Sequence, residues 1–322
     1  MGNKLLVICG PTATGKTQLG VNLAKKFGGE IVSADSRQIY KGMDIATGKD
    51  LPSEAKFHSV LGKTKFGIGY YLFDRVPVWM LDVVLPNHPF SVADFHEIAH
   101  GIIENIWRRG KLPIIVGGTG LYIKAMIDGI ETLGIPPNPQ LRMAYTGKSV
   151  QELFDILFHL NPETANKLNN DDRQNKRRLI RKIEIAQAGV KITKKMKEWR
   201  NLDVLCFGLV ISSQKLYERI NRRIDEWVKG GAVEEVGKLL AMGYSWNLPA
   251  MSGIGYRQWR PYFEGKTDLS QVLQKWKFDE HAYARRQMTW FKKDKRIHWF
   301  DISGQKWENR VEKLVSWWTK KK

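Results

Sequence analysis

The sequence predicts an α/β protein: a parallel sheet flanked by helices, with an inserted helical domain. Three observations predict it. The apolar run Lys4–Cys9 opens directly into Gly10-Pro-Thr-Ala-Thr-Gly-Lys16-Thr17, a strand–glycine loop–helix signature. Short apolar runs then alternate with stripes of helical period, the rhythm of a sheet covered on both faces. Between residues 129 and 200 the strand signal stops, while helical patterning continues.

Each element follows from its own residues. Lys16–Phe27 carries Leu19, Leu23, Ala24 and Phe27 at helical spacing. Glu30–Ala34 reads as a second strand, ending at Asp35. Residues 54–76, with Gly62, Gly67, Gly69 and Tyr70-Tyr71, predict a hairpin-like insertion, and Val78–Val84 a third strand. Ser91 is placed as an N-cap before the stripe Val92, Phe95, Ala99, Ile102 and Ile106, which ends at Arg108-Arg109-Gly110. Leu112–Val116 is a buried strand closed by Gly117-Gly118. Pro136-Pro137 and Pro139 precede a helix at Val150–Leu160 and a basic helix at Arg173–Ala188. Asp203–Ile211 and Ile297–Phe300 complete the strands, and Lys320-Lys321-Lys322 reads as a frayed tail. The expected domains are residues 1–128 with 201–322, a P-loop NTPase-like core with C-terminal helices, and residues 129–200, the helical insertion.

The chain has 322 residues, enough for about two domains. It carries 52 Lys and Arg against 33 Asp and Glu, a net charge of +19, which favours a polyanionic partner. No apolar run approaches the roughly 20 residues of a membrane span, and the N-terminus runs into the glycine loop without a signal-peptide pattern. Cys9 and Cys206 each lie in an apolar run, as free buried thiols would in a reducing cytoplasm. His96 and His100 share a helical spacing but lack a third zinc ligand. The C-terminal tryptophans Trp290, Trp299, Trp307, Trp317 and Trp318 are expected to pack rather than stack on bases.

The glycine loop carries chemistry. Gly10, Pro11, Thr12, Ala13, Thr14, Gly15, Lys16 and Thr17 form a turn whose backbone N–H groups face an anion at a helix N-terminus. Lys16 reaches the outer phosphate, and the Thr17 hydroxyl is the candidate ligand for Mg²⁺. The motif identifies a phosphate or diphosphate, not a triphosphatase. Asp35, the first acid after the second strand, sits where open α/β sheets bind ligands, and could hold metal or act as a base.

The segments Gly10–Thr17, Asp35-Ser-Arg-Gln-Ile-Tyr40-Lys-Gly-Met-Asp44, Ser91-Val-Ala-Asp-Phe95, Gly117-Gly-Thr-Gly-Leu-Tyr122, Gly255-Tyr-Arg-Gln258 and Arg286-Gln-Met-Thr-Trp290 resemble, in order, those of the bacterial tRNA dimethylallyltransferase family, also called tRNA isopentenyltransferases. The resemblance implies transfer of a dimethylallyl group from dimethylallyl diphosphate to N6 of adenine 37, beside the anticodon of tRNA. It implies that the loop holds the donor diphosphate, with Thr12 at the bridging oxygen and Arg223, one turn after Arg219, as a further contact. It makes Asp35 the general base, and Asp35, Thr12, Lys16 and Arg223 the catalytic set. It implies tRNA contacts at Asp35, Ser36, Arg37 and Gln38, at Thr119 and Arg142, and at Arg177, Arg178 and Arg181. Further contacts fall at Gly255, Tyr256 and Arg257, and at Arg285, Arg286, Gln287, Thr289 and Trp290. The implied protein is a cytoplasmic monomer whose partner is the tRNA anticodon stem-loop.

The chain departs from the family pattern at Ala46-Thr-Gly-Lys49-Asp50, where G-T-A-K-P is usual, at Val78-Trp79, at Gly120 and at Ser252. The rival readings are a P-loop kinase of a small metabolite, a prenyltransferase of free adenine nucleotides, and an RNA-binding protein with a decayed loop. The positive charge opposes the first. The insertion and basic C-terminal motif oppose the second. The intact Gly15, Lys16, Thr17 and Asp35 oppose the third.

Overall fold

The computed structural model describes residues 3–60, 66–189, 199 and 201–321. The chain divides into two compact units, Met1–Ile127 with Trp199–Lys322, and Asp128–Glu198.

The first half of the larger unit runs β1 (Lys4–Cys9), α1 (Lys16–Phe27), β2 (Gly29–Ser33), β3 (His58–Val60), β4 (Ile68–Phe73), β5 (Val76–Trp79), α2 (Val92–Arg108), β6 (Leu112–Val116) and α3 (Gly120–Ile127). The smaller unit is α4 (Pro139–Tyr145), α5 (Val150–Leu160), α6 (Pro162–Asn166), α7 (Asn170–Arg173) and α8 (Lys176–Gln187). The larger unit resumes with β7 (Asp203–Val210), α9 (Ser213–Lys229), α10 (Ala232–Ala241), α11 (Arg260–Phe263), α12 (Leu269–Phe291), β8 (Ile297–Asp301) and α13 (Trp307–Lys320). Lys320 thus closes a helix instead of fraying; Lys322 lies outside the described residues.

One sheet carries the order β3-β4-β5-β2-β6-β1-β7-β8. Its six strands from β5 to β8 pair in parallel, while β3-β4 and β4-β5 are antiparallel. The period of two along β1 divides the core: Leu5, Val7 and Cys9 face one apolar cluster, with α2, α3, α9, α10 and α12, and Leu6 and Ile8 face the other, with α1 and α13. β1 lies between β6 and β7, so the glycine loop leaves the middle of the sheet.

Local chemistry sets many boundaries. Ser91 and Asp94 form a capping box on α2, with Ser91 N–H donating to Asp94 at 2.9 Å and Asp94 N–H to Ser91 Oγ at 3.2 Å. Ser149 and Glu152 repeat it on α5. Asp74 and Arg75 both have positive φ, 50° and 69°, making the tight turn that joins β4 to β5.

Two expectations need correction. The third strand spans Val76–Trp79, not Val78–Val84. Met80 and Asp82 turn left-handed, at φ 66° and 54°. That turn buries the Asp82 carboxylate against the Lys49 ammonium and the Tyr71 hydroxyl, the latter at 2.5 Å. The basic helix starts at Lys176 instead of Arg173. Asn175 breaks the run as an N-cap, its Oδ1 accepting from Arg178 N–H at 3.2 Å.

The smaller unit has its own core of Leu153, Leu157, Ala165, Leu168, Leu179 and Ile183. Glu184 is buried beside it. Its oxygens accept from Arg142 Nε at 2.7 Å and Nη2 at 3.1 Å, from Arg181 Nη1 at 3.0 Å and from Asn138 N–H at 3.0 Å. Arg181 Nη2 also donates to the carbonyls of Thr132 and Ile135, at 2.9 and 2.7 Å.

Candidate active site

The loop after β1 is shaped by positive φ at Gly10 (133°), Ala13 (61°) and Gly15 (78°). At Gly10 a Cβ would come within 2.7 Å of the Leu209 carbonyl, so the loop can leave β1 this close to β7 only as glycine. Gly15 caps α1 without a side-chain bond, leaving the first-turn N–H groups of the helix for an anion. Thr14 Oγ1 and Lys16 Nζ both donate to the Pro11 carbonyl, at 2.8 and 2.6 Å. The Lys16 ammonium has its pKa lowered to about 8, first by burial and then by the nearby Arg223 charge, with Asp35 opposing.

Asp35 follows β2, and its Oδ1 accepts from Arg37 N–H at 2.9 Å. Burial raises its carboxyl above the usual aspartate range, and the Arg37 N–H and the Lys16 charge partly offset that. Arg223, on α9, donates to Asp50 Oδ2 at 2.6 Å and to the Gly48 carbonyl at 3.5 Å, with its guanidinium 4.6 Å from the Trp227 ring centroid. A Cβ at Gly48 would stand 2.4 Å from Arg223 Nη2. Gly48 thus leaves the space that the guanidinium fills.

These groups line one cleft of about 1140 Å³. Thr12, Lys16, Thr17, Asp35, Arg219 and Arg223 all face it, as do Ser36, Arg37, Gln38, Arg257 and Arg286. Such a cleft can seat a polyanion at the loop and bring a carboxylate to a second substrate beside it. Among the described residues no group of three or more His, Cys, Asp or Glu could hold a metal ion.

The structure also adds residues that sequence reasoning missed or read differently. Gln287, expected to contact RNA, is buried and braces the loop: its Oε1 accepts from Thr12 N–H at 2.9 Å and its Nε2 donates to the Gly118 carbonyl at 3.0 Å. Glu280 and Tyr283 line the same cleft from α12, and Arg222, Glu226 and Trp227 from α9. Glu226 and Trp227 lie three and four positions after Arg223 on α9, a spacing that could have found them.

The other expected RNA contacts divide. Arg177 is exposed. Arg178 is exposed and paired with Asp172. Arg142 and Arg181 are committed to Glu184, as described above. Gly255 and Tyr256 are buried, with Tyr256 Oη donating to Glu235 at 2.5 Å. Gln38 donates to the Gly48 carbonyl at 2.9 Å and accepts from Ser33 Oγ at 2.8 Å. Thr119 Oγ1 accepts from Ser36 N–H at 3.0 Å. Arg257 bonds Asp279 at 3.0 Å, and Arg285 bonds the Tyr217 hydroxyl at 3.0 Å. Arg285, Arg286, Thr289 and Trp290 lie on the exposed side of α12. A Cβ at Gly120 would meet the Trp290 indole at 2.1 Å, so glycine at this departure from the family pattern makes room for the ring. His100 stacks on Trp199 with centroids 3.7 Å apart, and burial lowers His96 to about 4, which leaves it neutral.

A family model described as IPP transferase matches residues 38–294, and one described as Isopentenyl transferase matches residues 3–61. The chain belongs to the IPP transferase family. A relative named tRNA dimethylallyltransferase from Anoxybacillus flavithermus is 36% identical over 320 residues, covering 98% of this chain and 96% of its own length. One of the same name from Roseiflexus is 37% identical over 298 residues, covering 90% of each. Among solved structures, the tRNA isopentenylpyrophosphate transferase of Bacillus halodurans superposes on this IPP transferase with TM-score 0.69 and 32% identity, covering 98% of this chain and 96% of that one. A eukaryotic dimethylallyltransferase acting on tRNA matches in fold, with TM-score 0.76 and 24% identity, covering 97% and 78%.

Proposed function

We propose that this IPP transferase moves a dimethylallyl group from dimethylallyl diphosphate to N6 of adenine 37 in the tRNA anticodon loop, releasing diphosphate. One observation carries the proposal: in a chain of this family, the anion loop, Arg223 and the burial-raised Asp35 line a single cleft.

The donor diphosphate sits against the loop amides, Lys16 and Arg223, with Thr12 at the bridging oxygen. Charge accumulates on that group as the allylic C–O bond weakens, and preformed donors aimed at it stabilise it. Arg223 must exchange its Asp50 partner for the diphosphate. The exocyclic amine of adenine is a poor nucleophile, and Asp35 accepts its proton as N6 attacks. Adenine reaches the cleft by extrusion from the loop. Thr17, at the start of α1 and facing the cleft, is the residue that would hold Mg²⁺. One hydroxyl beside diphosphate oxygens and water suits that ion, which needs no protein cage. When bound, the ion would offset the charge of the leaving group. We place the protein in the cytoplasm as a monomer; Cys9 and Cys206, both buried and in no disulfide, suit a reducing compartment. Among the described residues no helix is long and apolar enough to cross a membrane.

The test is incubation with labelled dimethylallyl diphosphate and total tRNA, followed by nucleoside analysis. Label in N6-(dimethylallyl)adenosine is expected. Label in free adenine nucleotides instead, or ATP competing better than pyrophosphate at the loop, overturns the proposal.

The unit Asp128–Glu198 we assign to tRNA binding, through the exposed cations that open α8. Lys176→Glu with Arg177→Glu is expected to weaken tRNA binding and to flatten log affinity against log salt by roughly 0.7–0.9 for each phosphate no longer neutralised. Diphosphate binding stays intact, because the loop belongs to the other unit. Arg181→Ala should differ. It strips a buried carboxylate and two carbonyls of a donor, so it lowers the melting temperature as well. An unchanged salt slope in the double variant means that this face of α8 is merely solvated.

A further inference from the structure

Two of the positions at which the chain departs from the family pattern, Gly48 and Asp50, meet at one side chain. Asp50 Oδ2 accepts from Arg223 Nη2 at 2.6 Å. The same nitrogen lies 3.5 Å from the Gly48 carbonyl oxygen, and the Trp227 ring backs the guanidinium at 4.6 Å. A Cβ at residue 48 would collide with that nitrogen and come within 2.9 Å of the Trp227 ring, so the alanine usual there would push the guanidinium off this seat. The proline usual at residue 50 fits no better. Asp50 has φ 50°, whereas a proline ring fixes φ near about −65°. The backbone between the two is held in place. The Gly48 carbonyl accepts from Gln38 Nε2 at 2.9 Å, and the fully buried Lys49 ammonium pairs with Asp44 and Asp82 and donates to the Tyr40 carbonyl at 2.7 Å. Exchange at Arg223 therefore needs only side-chain rotation. The Asp50 side chain is 56% exposed, so a displaced carboxylate turns into water at little cost.

We propose that Asp50 is an internal competitor of the diphosphate: it holds Arg223 until a diphosphate takes the guanidinium, and reclaims it as the product diphosphate leaves. The inference rests on Arg223 as a diphosphate contact in the proposed reaction. No covalent bond changes in the exchange; one charge-assisted hydrogen bond replaces another. The diphosphate displaces the carboxylate because the loop amides and Lys16 hold it at the same time. The carboxylate returns because the chain keeps it beside the guanidinium at a high effective concentration. Asp50 thus lowers the affinity for diphosphate and shortens its stay, which suits an enzyme that releases diphosphate after each transfer. Gly48 belongs to the same device, since it leaves the room in which Arg223 meets Asp50.

Calorimetric titration with pyrophosphate, together with its release rate in a chase experiment, tests the competition. Asp50→Asn keeps the shape and tolerates the left-handed backbone, but gives up the charge. Asp50→Gly keeps the backbone and removes the side chain. Each is expected to bind pyrophosphate about two- to fivefold more tightly and to release it correspondingly more slowly. In an Arg223→Ala background the same substitutions should change the affinity by less than about twofold, because the guanidinium they compete for is gone. Unchanged or weaker binding by both Asp50 variants, beside an Arg223→Ala that binds weakly, overturns the competition and leaves Arg223 as a diphosphate contact. A gain of equal size in the Arg223→Ala background also overturns it, and marks Asp50 as a general repelling charge. If neither Lys16→Ala nor Arg223→Ala weakens pyrophosphate binding, the diphosphate reading of the loop fails, and the competition fails with it.

Discussion

Asp35→Asn slows single-turnover transfer by roughly 10²–10⁴-fold, while donor and tRNA affinities stay within a few-fold. The amide keeps the side chain's size and can still accept from Arg37 N–H, the 2.9 Å bond that orients the group. It loses the negative charge and the ability to take a proton. Stability moves the other way. Burial raises the Asp35 carboxyl in the folded state above its ordinary value of 3.8. The native protein therefore holds more protons than the unfolded chain from that value upward, and stability falls as pH rises through this window. Asparagine removes that loss. The variant should melt higher than wild type at neutral pH, with the difference fading below about pH 4. A variant that is both slow and less stable at neutral pH would point to a structural lesion; full single-turnover activity would take Asp35 out of the mechanism.

The loop and its strand were legible because their determinants are local. The helices at 16–27, 92–108 and 150–160 and the strands at 4–9 and 112–116 lie where the sequence expects them, since capping boxes and apolar period are contained in the segments themselves. The strand after residue 76 was misread because its end depends on Lys49, 33 positions before Asp82. A run of valine and leucine does not show that a buried ammonium awaits a carboxylate there. The cations of the smaller unit are hard to tell apart by sequence for the same reason. Arg142, Arg177, Arg178 and Arg181 look alike in composition, yet Glu184 takes two of them into the fold. Within the cleft, Lys16, Thr17 and Asp35 follow from motifs, whereas Gln287 and Glu280 depend on how α12 is rotated against the loop. That rotation is a property of tertiary packing, and charge patterning along the helix does not reveal it. Asp50 shows a different limit. Its place in the sequence marks a departure from the family pattern, but only the structure shows the carboxylate resting on Arg223.

Lys16→Ala weakens donor binding and lowers the transfer rate at saturating donor by roughly 10²–10³-fold. The loop amides and the α1 N-terminus still bind diphosphate in the variant, so the lost part is the charge that strengthens its hold as the allylic bond breaks. Saturation therefore does not restore the rate. The same ammonium sets a pH limit for the wild type. Its pKa is lowered to about 8 by burial and by Arg223, and a bound diphosphate favours its protonated form. Donor affinity in the free enzyme should fall as pH rises through about 8, because each binding event must then first recover a proton. The variant, lacking that ammonium, should lose this fall and keep only the pH dependence of the ligand's own ionisation. Arg223→Ala provides a second check. It removes a repelling charge, so the Lys16 transition should move to higher pH even though donor binding is weaker. Titration of pyrophosphate affinity in the three proteins measures all of this without turnover. A wild-type curve of the same shape as that of Lys16→Ala would mean that Lys16 stays charged throughout the range, and that its burial beside Pro11 does not set the alkaline limit.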